Sequence, residues 1–169
     1  SMDTLVTIFP FGNNVCLVTI TGEQLLEVLE ASTFCTPETI GGFPQVAGIE
    51  YKLDVSVPYE NGEQYPDSTY YAPAKPGSRV TIKSVNGKAF DPKAEYTVAV
   101  NNFQAEGGDT YYQLTKNSYF CDTEILDCDA LIEYVNSLGG VIGEQYKEPQ
   151  GRIEIVGTAP EVKPEEEKP

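Results

Sequence analysis

Apolar positions recur along this chain with two periods, and the switches between them predict the elements. Val15 to Thr21, VCLVTIT, is dense in β-branched residues and predicts a strand. Thr21 then opens a helix: Thr-x-x-Gln with Gln24 is a capping box, and Leu25, Val28 and Leu29 make one apolar stripe that Pro37 ends at the latest. The segment GGFPQVAG reads as a loop, and from Ile49 to Val57 the residues Ile49, Tyr51, Leu53 and Val55 alternate with polar neighbours as in a half-buried strand. The following stretch, PYENGEQYPDSTYYAPAKPG, has no period and reads as an irregular excursion packed down by its tyrosines.

Arg79 to Val85 and Glu95 to Val100 predict two strands joined through NGKAFDPKA, in which Asn86-Gly87 signals a turn although the connection exceeds a two-residue hairpin loop. Further on, Asp127 caps a predicted helix whose Leu131, Val135 and Leu138 share a face and which stops at Gly139-Gly140. Arg152 to Val156 predicts a last strand. Strands and helices in this order imply a single α/β domain, a mixed sheet with helices packed on it, spanning residues 3–157. Residues 158–169, TAPEVKPEEEKP, bury too little apolar surface to offset their ordering entropy and read as an acidic tail or linker. Ser1-Met2 reads as an added start on a piece of a longer reading frame.

Composition narrows the chemistry. A net charge of -15, from 26 acidic and 11 basic residues, argues against a polymeric nucleic-acid partner, which needs clustered Lys and Arg; a small nucleoside is not affected. With no histidine in the chain, zinc hydrolases, Ser-His-Asp triads and Cys-His pairs have no members to draw on. The four cysteines, Cys16, Cys35, Cys121 and Cys128, lack metal-ligand spacing, and free thiols are favoured over a Cys121–Cys128 bridge. No apolar run approaches the roughly 20 residues of a membrane span.

Two stretches stand apart, PFGNN and NNFQAEGGDTYY. Each sets a phenylalanine, Phe11 and Phe103, beside residues suited to tight, exposed backbone, and the second adds Gly107, Gly108 and Asp109. Each ring is either a plug tucked under its own loop or one half of a clamp for a flat ligand, since a base stacks on an aromatic face for about 1–3 kcal/mol whatever its identity. In the clamp reading, Asp109 beyond the Gly-Gly turn accepts hydrogen bonds from a pair of vicinal hydroxyls, as on ribose.

The order FPFGNNVCLVTITGEQLLEVLE, GGFPQVAGIEYKLD, VNGKAFDPKAEYTVAVNNFQAEGGDTYY resembles the C-terminal domain of the 5'-nucleotidase family, which includes UDP-sugar hydrolases and cyclic-nucleotide phosphodiesterases, from about Leu5 to Ile155. The resemblance implies that Phe11 and Phe103 stack the nucleobase, that Asp109 binds ribose hydroxyls, and that Gly107 and Gly108 shape the turn presenting it. It implies no cofactor in this segment and no catalytic residue: two divalent metal ions and the catalytic His-Asp pair belong to a separate N-terminal metallophosphoesterase domain of the parent chain, located outside the cell membrane. Two departures stand out. The family's domain begins earlier, with a helix and an Asn-Gly-Gly-x-Arg segment that this sequence starts after, and GGDTYY places Thr110 where many members have glycine. The competing expectation is a surface interaction module on the same fold, working through the tyrosine-rich excursion and the acidic tail on protein or cell-wall polymer.

Overall fold

The computed structural model describes residues 7–160. Strand β1 (Asn14–Thr21) lies at the centre of a three-stranded antiparallel sheet, between β7 (Glu95–Asn101) and β8 (Tyr119–Leu126). Its inward residues Cys16, Val18 and Ile20 are fully buried, whereas Val15, Leu17 and Thr19 on the other face are half-buried. Period two therefore governs a segment whose sequence reads as a continuous apolar run.

Thr21 ends β1 and caps α1 (Gly22–Ala31) at the same time. Its hydroxyl accepts from the Gln24 amide (3.2 Å) and the Gln24 side chain accepts from the Thr21 N–H (2.8 Å), which is the predicted capping box. Leu25, Val28 and Leu29 turn one stripe into the core, each contributing about 1.5–3 kcal/mol through burial. The far end of α1 is fastened by two buried polar groups. The Glu30 carboxylate accepts from the backbone N–H of Gly77 and Arg79 and from the Ser78 hydroxyl, while the Arg79 guanidinium donates to the carbonyls of Thr33 (3.1 Å), Phe34 (3.0 Å) and Thr36 (3.0 Å). Arg79 thereby satisfies carbonyls past the helix end, Glu30 satisfies the donors of residues 77–79, and together they hold that end still.

The second sheet has the order β6 (Lys88–Ala89), β5 (Val80–Val85), β2 (Ile49–Asp54), β9 (Ile153–Val156), with β2 and β9 parallel and the other pairs antiparallel. Tyr51, Leu53, Val80 and Ile82 from this sheet meet β1 and α1 in one core. The α/β class, the mixed sheet and the single domain stand as expected, with the strands divided among separate sheets.

Several local expectations are corrected. The strand from Ile49 stops at Asp54, not Val57, because the Asp54 carboxylate accepts from the Ser56 N–H (3.0 Å) and hydroxyl (2.5 Å) and bends the chain out of the ladder. The strands at 80–85 and 95–101 are not partners. At Asn86-Gly87, both at positive φ (49° and 72°), β5 folds back into β6 through a two-residue turn, and β7 joins β1 in the other sheet. The tyrosine-rich excursion contains a hairpin, β3 (Asn61–Gln64) with β4 (Tyr71–Pro73), and its tyrosines do pack down: Tyr59 and Tyr70 meet the Phe34 ring edge-on at 6.0 and 5.8 Å, and Tyr65 is buried. Asp127 is the first residue of the last helix, α3 (Asp127–Ser137), and not its cap; its side chain accepts from the adjacent Cys128 N–H (2.8 Å). No residue of α3 is fully buried, so the shared face of Leu131 and Val135 is only partly covered. All four cysteines are free. The expected domain end at Gly157 falls just beyond β9, and most of the acidic tail lies outside the described residues.

Candidate functional site

The pairing of β1 with β7 brings the two singled-out stretches together. Val15 opposes Asn101, so the turn carrying Phe11, which leads into β1, and the short helix α2 (Asn102–Ala105) carrying Phe103, which leaves β7, emerge from the same end of the sheet. Asn102 ties the two: its side-chain oxygen accepts from the Asn14 backbone N–H at 3.0 Å. Asn101 caps α2 by accepting from the Gln104 amide at 2.7 Å. These asparagines are spent on holding the loops.

Neither ring is a plug. Phe11 is 83% exposed and Phe103 47% exposed, well above what a tucked-in aromatic shows. Phe103 nevertheless has a fixed backing. A Cβ placed on Gly108 would lie 2.4 Å from Phe103 Cζ and 2.6 Å from both Cε atoms, and three near-equal distances put it over the ring face, not beyond the tip. Gly108 is thus the one residue type that lets the backbone lie flat against one face of Phe103, leaving the opposite face for something else. The Gly108 N–H also donates to the Phe103 carbonyl at 2.9 Å, closing α2 onto the turn. Gly107 takes φ 85°, where a Cβ would in addition press on Thr115 at 2.7 Å.

Asp109 follows at φ 52°, a left-handed conformation that aspartate tolerates better than most residues. Its carboxylate is partly exposed and lies beside the loop of Gly41 and Gly42; a Cβ on Gly42 would be 3.4 Å from Asp109 Oδ2. The departure at Thr110 has a physical role. Its φ is not positive, so nothing requires glycine there, and its buried hydroxyl donates to Ser32 Oγ at 3.0 Å, just past the end of α1. Tyr111 is buried as well, donating its hydroxyl to the Gly42 carbonyl at 2.8 Å. Burial pushes the Tyr111 phenol above its ordinary value; hydrogen bonds from Ser32 and Gln104 oppose this, and the Asp109 charge adds to it. Gly42, Thr110 and Ser32 escaped sequence reasoning because each acts through a partner remote in the chain. The only signals were the Gly-Gly pair in GGFPQ and the threonine in place of glycine.

A groove of about 420 Å³ opens beside Phe11, lined by Phe9, Pro10, Asn13, Val15, Ala99 and Asp127 among others. Phe103 and Asp109 do not line it. Among the described residues no group of three or more His, Cys, Asp or Glu side chains converges as a metal site. Nor, among the described residues, is any helix long and apolar enough to cross a membrane.

Fold and site together define an α/β domain that presents exposed aromatic faces beside a turn-held carboxylate. The family profile described as "5'-nucleotidase, C-terminal domain" matches residues 1–116. The trifunctional nucleotide phosphoesterase protein YfkN of Bacillus subtilis is 32% identical over 161 residues, 92% of this chain and 10% of that protein. Protein UshA of Escherichia coli is 26% identical over 153 residues, covering 90% of this chain and 24% of UshA. The crystal structure of a 5'-nucleotidase precursor from Thermus thermophilus superposes with a TM-score of 0.70 at 29% identity, over 91% of this chain and 27% of that one. The chain belongs to the 5'-nucleotidase C-terminal domain family, and it spans between 10% and 27% of the length of these relatives.

Proposed function

We propose that this domain is the substrate-recognition part of a secreted 5'-nucleotidase-type metallophosphohydrolase, holding the nucleoside while another domain performs the chemistry. The base stacks between Phe11 and Phe103, and Asp109 accepts hydrogen bonds from the ribose hydroxyls. Gly107 and Gly108 set the angle between Phe103 and that carboxylate. The observation that carries this reading is the Phe103 ring, backed on one face by Gly108 and left 47% exposed at the sheet end where Phe11 also stands free. A surface ring with a rigid support is prepared for stacking, because its immobilisation has been offset before the ligand arrives.

In this reading, two divalent metals and the catalytic His-Asp pair belong to an N-terminal metallophosphoesterase domain of the parent chain and would supply water activation and charge stabilisation at the phosphate. What this domain's residues supply is position: a base and a sugar fixed at one end bring the phosphate at the other into line. The matches to a nucleotide phosphoesterase and a 5'-nucleotidase support a nucleotide as substrate; within that class the family resemblance leaves open a 5'-nucleotide, a cyclic nucleotide or a UDP-sugar. Location outside the cell membrane follows from the family and suits the acidic Pro/Glu/Lys tail as a spacer. The competing interaction-module reading loses one of its surfaces, since Tyr59, Tyr65 and Tyr70 pack inward.

Adenosine titrated into the protein should shift the ring resonances of Phe11 and Phe103 at millimolar concentration. The same protein should hydrolyse no AMP with divalent metals added. Unmoved rings would remove the recognition role, and a metal-dependent phosphatase activity would contradict the division of labour.

A further inference from the structure

We infer that Thr110 and Tyr111 are positioning residues that hold Asp109 in its left-handed backbone conformation, and that they thereby set how strongly the site prefers a ribonucleoside to a 2'-deoxyribonucleoside. This rests on the reading of Asp109 as the sugar ligand given above.

Asp109 is flanked by constraints on both sides. Before it, Gly107 at φ 85° and Gly108 beneath the Phe103 ring fix the path of the turn. After it come two anchors to separate parts of the fold. Thr110, 2% exposed, donates to Ser32 Oγ (3.0 Å), and Ser32, 1% exposed, donates in turn to the Val28 carbonyl (2.7 Å) in the last turn of α1. Tyr111 reaches the Gly42 carbonyl (2.8 Å) and so draws the Gly41-Gly42 loop up to the carboxylate, which leaves 3.4 Å between Asp109 Oδ2 and the place a Gly42 Cβ would take. The end of α1 is itself immobilised by Glu30 and Arg79, so the Thr110 anchor ends on a rigid element.

An aspartate at φ 52° is held against its preference and relaxes when the surroundings no longer determine it. Relaxation would swing the carboxylate away from its place beside Gly42 while leaving Phe11 and Phe103, which are held by Asn102, Asn101 and Gly108, in place. Loss of an anchor should therefore remove sugar recognition and spare base stacking. A ribonucleoside offers two vicinal hydroxyls to the carboxylate and its 2'-deoxy counterpart only one, so the affinity ratio between them reads the position of Asp109 directly.

The test compares adenosine with 2'-deoxyadenosine by calorimetry or NMR titration. Wild type should bind adenosine about tenfold more tightly, the worth of one hydrogen bond to a charged group. Thr110→Val, which keeps the shape and removes the hydroxyl, should lower that ratio toward one, adenosine losing more affinity than 2'-deoxyadenosine, and Thr110→Ser should restore it. Tyr111→Phe, which removes a single oxygen, should act in the same direction and serves where Thr110→Val does not fold. Ratios that stay at the wild-type value, or parallel loss of both nucleosides, would overturn the inference, the second outcome marking a merely structural role. Asp109→Asn separates the two levels: if wild type and Asp109→Asn show the same ratio, the sugar-ligand reading fails and the positioning role fails with it.

Discussion

A single methyl group at position 108 has nowhere to go except into the Phe103 ring, 2.4 Å away. Gly108→Ala should consequently tilt or displace that ring and weaken nucleoside binding by about 1–3 kcal/mol, the contribution of one stacking face. The same substitution should cost little global stability, because Phe103 is half exposed and not part of the core; titration calorimetry beside chemical denaturation separates the two effects. Phe11, Phe103 and Asp109 could be singled out in the sequence because a phenylalanine beside turn residues and a Gly-Gly-Asp turn are local signals, whereas the exposure of both rings is seen only in the fold. Their anchors were not. Ser32 meets Thr110 and Gly42 meets Tyr111 across long stretches of chain, and no local pattern carries such a contact.

Among the elements, α1 was the most readable, since its cap and its stripe are written within one short segment; its end, bounded only by Pro37 in the sequence, falls at Ala31. Thr21→Ala removes the hydroxyl arm of the capping box, leaving the backbone N–H arm to Gln24, and should cost about 1 kcal/mol in denaturant unfolding. Glu30→Ala should cost more, about 3 kcal/mol, because it strips the acceptor from several buried donors at once and loosens the end of the helix on which Thr110 depends. A smaller loss at Glu30 than at Thr21 would show that the buried network does not hold that end. What the sequence withheld at this scale was partnership. Strands at 80–85 and 95–101 were both recognised, yet their apolar alternation says nothing of which sheet each joins, and Asn86-Gly87 closes a hairpin onto two residues too short to read as a strand. The tyrosine-rich excursion hid its hairpin for a similar reason, its proline and glycine content masking any period.

For the molecule as a whole, buried tyrosines set the response to alkali. Burial raises the phenols of Tyr51, Tyr59, Tyr65 and Tyr111, with neighbouring Tyr111, Glu30, Glu27 and Asp109 respectively adding to the shift. Above the ordinary tyrosine value of about 10, the unfolded chain loses these protons while the folded one keeps them, so fewer protons are bound in the unfolded state and unfolding becomes easier as pH rises. The stabilisation is fully present below that value; the denaturation midpoint should hold steady up to about pH 9 and fall beyond about pH 10, whereas a midpoint unchanged into strong alkali would mean the phenols are solvated. At this scale too, the proposed division into a gripping domain and a reacting one starts from the lack of histidine, which leaves this sequence without the usual general base. Recognition by the clamp requires one base lying between two rings. Intermolecular nuclear Overhauser effects from adenosine measure this most directly: adenine H2 and H8 should show cross-peaks to the ring protons of both Phe11 and Phe103, with ribose signals near Gly42 and Asp109. Base cross-peaks to one ring only, or to neither, would contradict the clamp.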